Sequence, residues 1–158
     1  MKCQLLFLSG LVFIFVLNGC GKKGCTDPDV DNYDPDATKT DYSCDYTYGC
    51  MDTLATNYDP LASRDCCCKY LLEYKVSGSA NLYDVTYENS SGGTSQESNV
   101  TNSWSYSFSA GGDTWVYLSA QNQKNTGSVT VTIKYGASTF KSSTSNGGYV
   151  IATASGTL

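Results

Sequence analysis

The 158-residue chain has no histidine, no cysteine beyond Cys68, no proline from Leu71 onward and no run of 3.6-residue apolar periodicity after its N-terminal stretch. Without histidine it lacks the commonest zinc ligand and the commonest acid–base catalyst, and a Ser-His-Asp triad is excluded. No basic stripe is present either. Residues 24–70 carry ten aspartates against Lys39, Arg64 and Lys69, and residues 71–158 carry five acids against four lysines. A phosphate backbone would be repelled by the first segment and finds no cationic track on the second, so the composition argues against a nucleic-acid partner. In the second half the only acid–base groups are Glu73, Asp84, Glu88, Glu97 and Asp113. A Glu88–Asp113 pair for glycoside cleavage is a weaker reading than solubilising surface acids, and the chain reads as a non-enzyme with no catalytic residues.

What is present begins with an address. Met1-Lys2 is a short positive start, and residues 4–17 form a mostly apolar run that is too short to span a bilayer comfortably. Residues 1–19 therefore read as a signal peptide. The run closes with Leu17-Asn18-Gly19-Cys20, which resembles a bacterial lipoprotein box with Asn18 as a departure. The resemblance implies that the Cys20 thiol takes a diacylglycerol and its freed amine a further acyl chain such as palmitate, enough hydrocarbon for stable attachment to a membrane. Residues 20–23 form a lipidated tether. Gly21 stands where an aspartate would resemble an inner-membrane retention signal, so the expected location is the outer membrane of the cell envelope, on its periplasmic face or at the cell surface.

Residues 24–70 are a tandem repeat, and six of the eight cysteines lie there, which points to an oxidising compartment. A shift of twenty-five positions pairs Gly24-Cys25 with Gly49-Cys50, Asp27 with Asp52, Asn32-Tyr33-Asp34-Pro35 with Asn57-Tyr58-Asp59-Pro60, and Ala37 with Ala62. After one deleted residue, Asp41, Cys44 and Tyr46 pair with Asp65, Cys68 and Tyr70. The motif resembles the extracellular repeat GCTDPxAxNYxPxAxxxDxSCxY of Bacteroidota-type exported proteins, which implies a disulfide-closed spacer or display module. Equivalent positions suggest Cys25–Cys44 and Cys50–Cys68, each closing a loop of about twenty residues and contributing roughly 3 kcal/mol in the chain-entropy account. Six cysteines allow fifteen pairings, and for Cys66 and Cys67 a vicinal bridge, a cross-link to another chain and a different pairing all stay open. Asp27, Asp29, Asp31 and Asp34 alternate as hard oxygen donors for calcium would. Asn32 and Thr38 break the EF-hand pattern, and Asx turns at Asp27 and Asn32 are favoured over a calcium site; no other cofactor is indicated. Asp52-Thr53-Leu54 resembles a short O-glycosylation acceptor of the same bacteria.

Residues 71–158 change texture to Ser, Thr, Gly, Val and Tyr with period-two alternation between turn signals. The pattern predicts strands over residues 73–77, 84–88, 94–100, 103–109, 115–120, 128–135, 139–143 and 149–154, hence an all-β, antiparallel, immunoglobulin-like sandwich of about eight strands. Tyr74-x-Val76-x-Gly78, Val85-x-Tyr87, Asn99-Val100 before Trp104, Ala120-Gln121 and residues 128–133 resemble the extracytoplasmic domain of MmpS-type transport accessory proteins. Ser103, Val131 and Ala154 depart from that family's pattern, and the anchor differs. The resemblance implies the fold and an accessory role beside an envelope protein. The alternative is a glycan- or lipid-binding module with Trp115 and Tyr117 as the site, Trp104 and Tyr106 being assigned to the core.

Overall fold

The computed structural model describes residues 21–158, so the signal peptide and Cys20 lie outside the described residues. The chain divides into two compact units, residues 1–45 and residues 46–158. The first contains one repeat copy. In it, β1 (Lys23–Gly24) pairs in parallel with β2 (Lys39–Thr40), and Cys25 is buried and disulfide-bonded to Cys44. So few aliphatic side chains cannot form a core, and local polar closures hold the loop instead. Asp27 Oδ1 accepts the Asp29 N–H at 3.1 Å and Asp34 Oδ1 accepts the Asp36 N–H at 3.1 Å, both Asx turns. Asn32 does not make the expected Asx turn. Its Nδ2 donates to Ser43 O and its Oδ1 accepts the Asp45 N–H, so the amide clamps the segment around Cys44.

The second unit opens with the other copy, built the same way. In it β3 (Tyr48–Gly49) pairs in parallel with β4 (Arg64–Asp65), Cys50 bonds to Cys68, and Asn57 clamps Cys67 O and the Lys69 N–H. The motif glycines are there for space. A Cβ on Gly24 would lie 3.0 Å from Asp34 Oδ2, and one on Gly49 would lie 2.8 Å from Asp59 Oδ2. The missing residue of the second copy is placed by hydrogen bonds: Asp41 and Cys66 donate to equivalent carbonyls of Gly24 and Gly49, while Ser43 and Cys67 accept from equivalent asparagines. Asp41 is therefore matched by Cys66, not by Asp65, and Tyr42 has no counterpart. Cys66 and Cys67, which stand on either side of that gap, are disulfide-bonded to each other.

The sandwich follows. Its strands are β5 (Lys69–Ser77), β6 (Leu82–Glu88), β7 (Thr94–Thr101), β8 (Trp104–Gly111), β9 (Trp115–Asn122), β10 (Ser128–Tyr135), β11 (Ser138–Asn146) and β12 (Ile151–Thr157). They form two antiparallel four-stranded sheets in the orders β11-β10-β5-β8 and β12-β9-β6-β7. Every expected strand is present. The largest difference is β5, which starts at Lys69 inside the repeat motif and is an interior strand of its sheet.

Alternation puts Leu72, Tyr74 and Val76 of β5 and Val129, Val131 and Ile133 of β10 into the core. Tyr83, Val85 and Tyr87 of β6 and Val116, Leu118 and Ala120 of β9 meet them from the other sheet. Each large side chain so buried contributes roughly 1.5–3 kcal/mol. Trp104, Tyr106 and Phe108 pack against this core in a half-buried aromatic cluster, with Tyr106 stacked 6.4 Å from Tyr74 and Trp104 lying 4.9 Å from Tyr87. The core assignment of Trp104 and Tyr106 is thereby met. Glu97, paired with Val85 on edge strand β7, turns its carboxylate to the cluster and accepts Tyr87 Oη–H at 3.1 Å and Trp104 Nε1–H at 2.9 Å. A charge on an edge strand also discourages unwanted strand pairing.

One end of the sandwich is tied by Asn122, a fully buried polar residue. Its Nδ2 donates to Thr126 O at 3.0 Å and to Gly147 O at 2.7 Å, and its Oδ1 accepts the Lys124 N–H at 2.6 Å. Two loops, β9–β10 and β11–β12, thus share one amide. By contrast, the buried hydroxyl of Tyr74 has no hydrogen-bond partner among the described residues. The two side chains make opposite predictions. Asn122→Ala should lower stability by about 2–4 kcal/mol, because a fully buried amide and the three hydrogen bonds that join the two loops are lost. Tyr74→Phe should leave stability within about 1 kcal/mol or raise it, because only an unsatisfied oxygen is removed. Urea midpoints at unchanged m-value would measure both.

Candidate functional site

The strand pattern that buries Val116, Leu118 and Ala120 turns Trp115, Tyr117, Ser119 and Gln121 of β9 outward. Trp115 is 51% exposed and Tyr117 half-buried, so the structure places this predicted pair together on an outer sheet face. Registers extend that face sideways. Gln121 stands beside Asp84 of β6 and Ile151 of β12, and Ser119 stands beside Thr86 and Thr153. Thr86 in turn faces Gln96 of β7. Ser119 and Thr153 share a hydroxyl hydrogen bond at 3.1 Å, and Gln96 Nε2 donates to Thr86 Oγ1 at 3.4 Å.

An irregularity shapes the face into a groove. Tyr83 pairs with Val100 and Val85 with Glu97, so Asp84 alone faces Ser98 and Asn99. This is a β-bulge, and Asn99 takes a positive φ of 58° within it while its N–H donates to Asp84 Oδ1 at 2.9 Å. The bulged edge bounds a polar groove with a volume of about 260 Å³, lined by Asp84, Thr86, Gln96, Ser98, Ser119 and Gln121. In the sequence Asp84 stands out only as one of the domain's few acids and Gln121 only in the family resemblance, and none of the six is a predicted site residue. The alternation that predicted the strands could have assigned them to the outer face, but pairing and the bulge were invisible in it.

The other predicted residues are dispersed. Cys25–Cys44 and Cys50–Cys68 are disulfides within single repeat copies. Among the described residues, the one group of three metal-ligating side chains that converge is Cys50, Asp65 and Cys68, whose two sulfurs are spent on each other. Asp27, Asp29, Asp31 and Asp34 do not converge in that way. Lys22 Nζ already lies 2.9 Å from Asp34 and 3.4 Å from Asp36, and this contact holds the Asp34 carboxyl below its ordinary value and raises the Lys22 ammonium. Elsewhere in the sandwich Glu73 pairs with Lys75 at 3.1 Å, and Asp113 sits in the β8–β9 turn with its N–H on Leu158 O.

A second, apolar groove of about 570 Å³ lies where the second repeat copy meets the sandwich, lined by Leu54, Tyr70, Leu71 and Tyr135 among others. Beside it Tyr70 Oη–H donates to Asp52 Oδ2 at 2.5 Å. This bond pushes the Tyr70 hydroxyl up to about 12, and with the Leu54 N–H it holds Asp52 below the usual carboxylate value. A depressed carboxyl contributes stability above its ordinary value of 3.8 and loses it as pH falls through the lowered one. A raised phenol contributes below 10 and loses it as pH climbs toward 12. Tyr70→Phe should therefore remove this part of the alkaline loss and raise the Asp52 titration toward its ordinary position, as followed by NMR of the side-chain carboxyl.

No protein-family model matches the chain, and no curated protein matches it.

Proposed function

We propose that the chain is a non-enzymatic bacterial lipoprotein that uses an acylated Cys20 to hold its β-sandwich at the outer membrane, where it meets a ligand or another envelope component. The anchoring rests on the signal-like start and the Leu17-Asn18-Gly19-Cys20 box. The display role is supported above all by β5, which runs from the second repeat copy into the interior of a sheet. A spacer that shares a strand with the domain it carries transmits position to that domain, whereas a loose Gly/Ser linker would not. The local disulfides fit the same role, since they stabilise short segments that have little core of their own. The accessory-subunit role implied by the MmpS-type resemblance is one form of this display.

A second reading, ligand binding, is favoured by one observation: Trp115 is exposed on the sheet face whose other end carries a polar groove, and it does not pack into the core.

Anchoring is tested in cells of an envelope-bearing host expressing the full chain and fed an alkyne-tagged palmitate. The wild type should carry the tag and sediment with outer membranes. Cys20→Ser should lose the tag and leave the membrane fraction. Equal tagging of both proteins would overturn the proposal.

A further inference from the structure

The lysines on the strands of the sandwich are sorted by sheet. Lys69, Lys75, Lys134 and Lys141 lie on β5, β10 and β11 of one sheet, with Glu73 paired to Lys75. The strands of the other, β6, β7, β9 and β12, contain no lysine or arginine, and their ionisable acids are Asp84, Glu88 and Glu97. The outer face of that second sheet is thus acidic to neutral along its strands, and the Lys141 ammonium that reaches its β12 edge is engaged by Ser155 O, so little attracts a phosphate, sulfate or uronate group. Beside the exposed Ile151, its other outward side chains include the hydroxyls and amides of Thr86, Gln96, Ser119, Gln121, Thr153 and Ser155. They are short or planar hydrogen-bonding groups placed on a rigid strand ladder, several already oriented by each other.

Trp115 and Tyr117 extend the line of Ser119 and Gln121 along β9. At a strand rise of about 3.4 Å per residue, Trp115 to Gln121 spans roughly 20 Å. An exposed indole is a flat apolar plate, and the face of a pyranose ring, whose C–H bonds point to one side, is a flat apolar partner for it. The ring's equatorial hydroxyls then meet donors and acceptors along the same track. Aromatic plate, polar groove and strands without lysine or arginine are three independent features, and they agree on one class of ligand.

We propose that the outer face of the β12-β9-β6-β7 sheet binds an uncharged glycan chain laid along β9. Trp115 stacks on one sugar, Tyr117 supports its neighbour, and the Asp84–Gln121 groove takes hydroxyls further along. Asp84 is half-buried and is fixed by the Asn99 N–H, so it is oriented for accepting from a hydroxyl and disfavours any anionic substituent. The bulge at Ser98 and Asn99 keeps the adjacent edge from lying flat and gives the groove its wall. This goes beyond the display reading and does not require it, since a soluble protein with this face would bind equally well.

The test is native affinity electrophoresis of the full-length protein, extracted in mild detergent, through gels containing mannan, xylan, xyloglucan or mixed-linkage β-glucan, with polygalacturonate as the anionic control. At least one neutral polymer should retard the protein, and polygalacturonate should not. Trp115→Ala should weaken the retardation about tenfold or more, and Gln121→Ala should weaken it by a smaller factor. Trp115 is exposed, so its loss should leave the urea midpoint unchanged, which separates lost binding from lost folding. Retardation by none of the neutral polymers, retardation by polygalacturonate alone, or undiminished retardation of Trp115→Ala would each overturn the proposal. Loss of palmitate labelling at Cys20 would leave this outcome unaffected, so the two proposals fail separately.

Discussion

Strand β5 carries the constraint on which the second compact unit depends. Its first residue, Lys69, is held by the second repeat copy: its N–H goes to Asn57 Oδ1, and its carbonyl accepts from the Thr56 N–H and from Thr56 Oγ1–H. The same residue pairs with Gly111 of β8, and from Leu72 onward the strand is also hydrogen-bonded to β10. Tyr70, one position along, reaches back to Asp52 through its hydroxyl and edge-on to Tyr135 at 5.3 Å through its ring. A few residues therefore satisfy repeat and sheet at once. Shifting the strand by one position would reverse its faces and break the Asn57 clamp together with the core.

Repetition with variation explains the other half of the architecture. Both copies use a glycine pressed against an aspartate, an aspartate-capped turn, an asparagine clamp and a local disulfide. None of these needs an apolar core, which is why a segment rich in aspartate can still be ordered. The copies differ in their surroundings. In the first, Lys22 is drawn to Asp34 and Asp36. In the second, Leu61 occupies the position of Asp36.

How much of this could be read from the chain depends on the range of the interaction. Alternation is local, so Val129, Val131 and Ile133 announced their strand and its buried face, and Trp104 with Tyr106 could be assigned to the core. The repeat pairing also exposed two of the three disulfides among the described residues. Register is not local. Nothing in the string Thr94–Thr101 says that two of its residues face Asp84 alone, yet this bulge builds the groove wall. Ser, Thr and Gln at outward positions look like solvated surface until the neighbours on either side are known. Asn122 was hidden for a similar reason, because beside Lys124 and Thr126 of the loop that follows it its amide also holds Gly147, which only the fold brings near. The start of β5 was obscured because Lys69 and Tyr70 belong to two patterns, and the repeat motif claimed them first.

The closure of the second copy has a consequence for the strand that leaves it. Cys50 is bonded to Cys68, the residue directly before Lys69, while Cys66 and Cys67 are bonded to each other. The Cys50–Cys68 bond coexists with Asn57 gripping both Cys67 O and the Lys69 N–H, so a covalent and a hydrogen-bonded restraint meet at the root of β5. The strand enters its sheet like a beam clamped at one end.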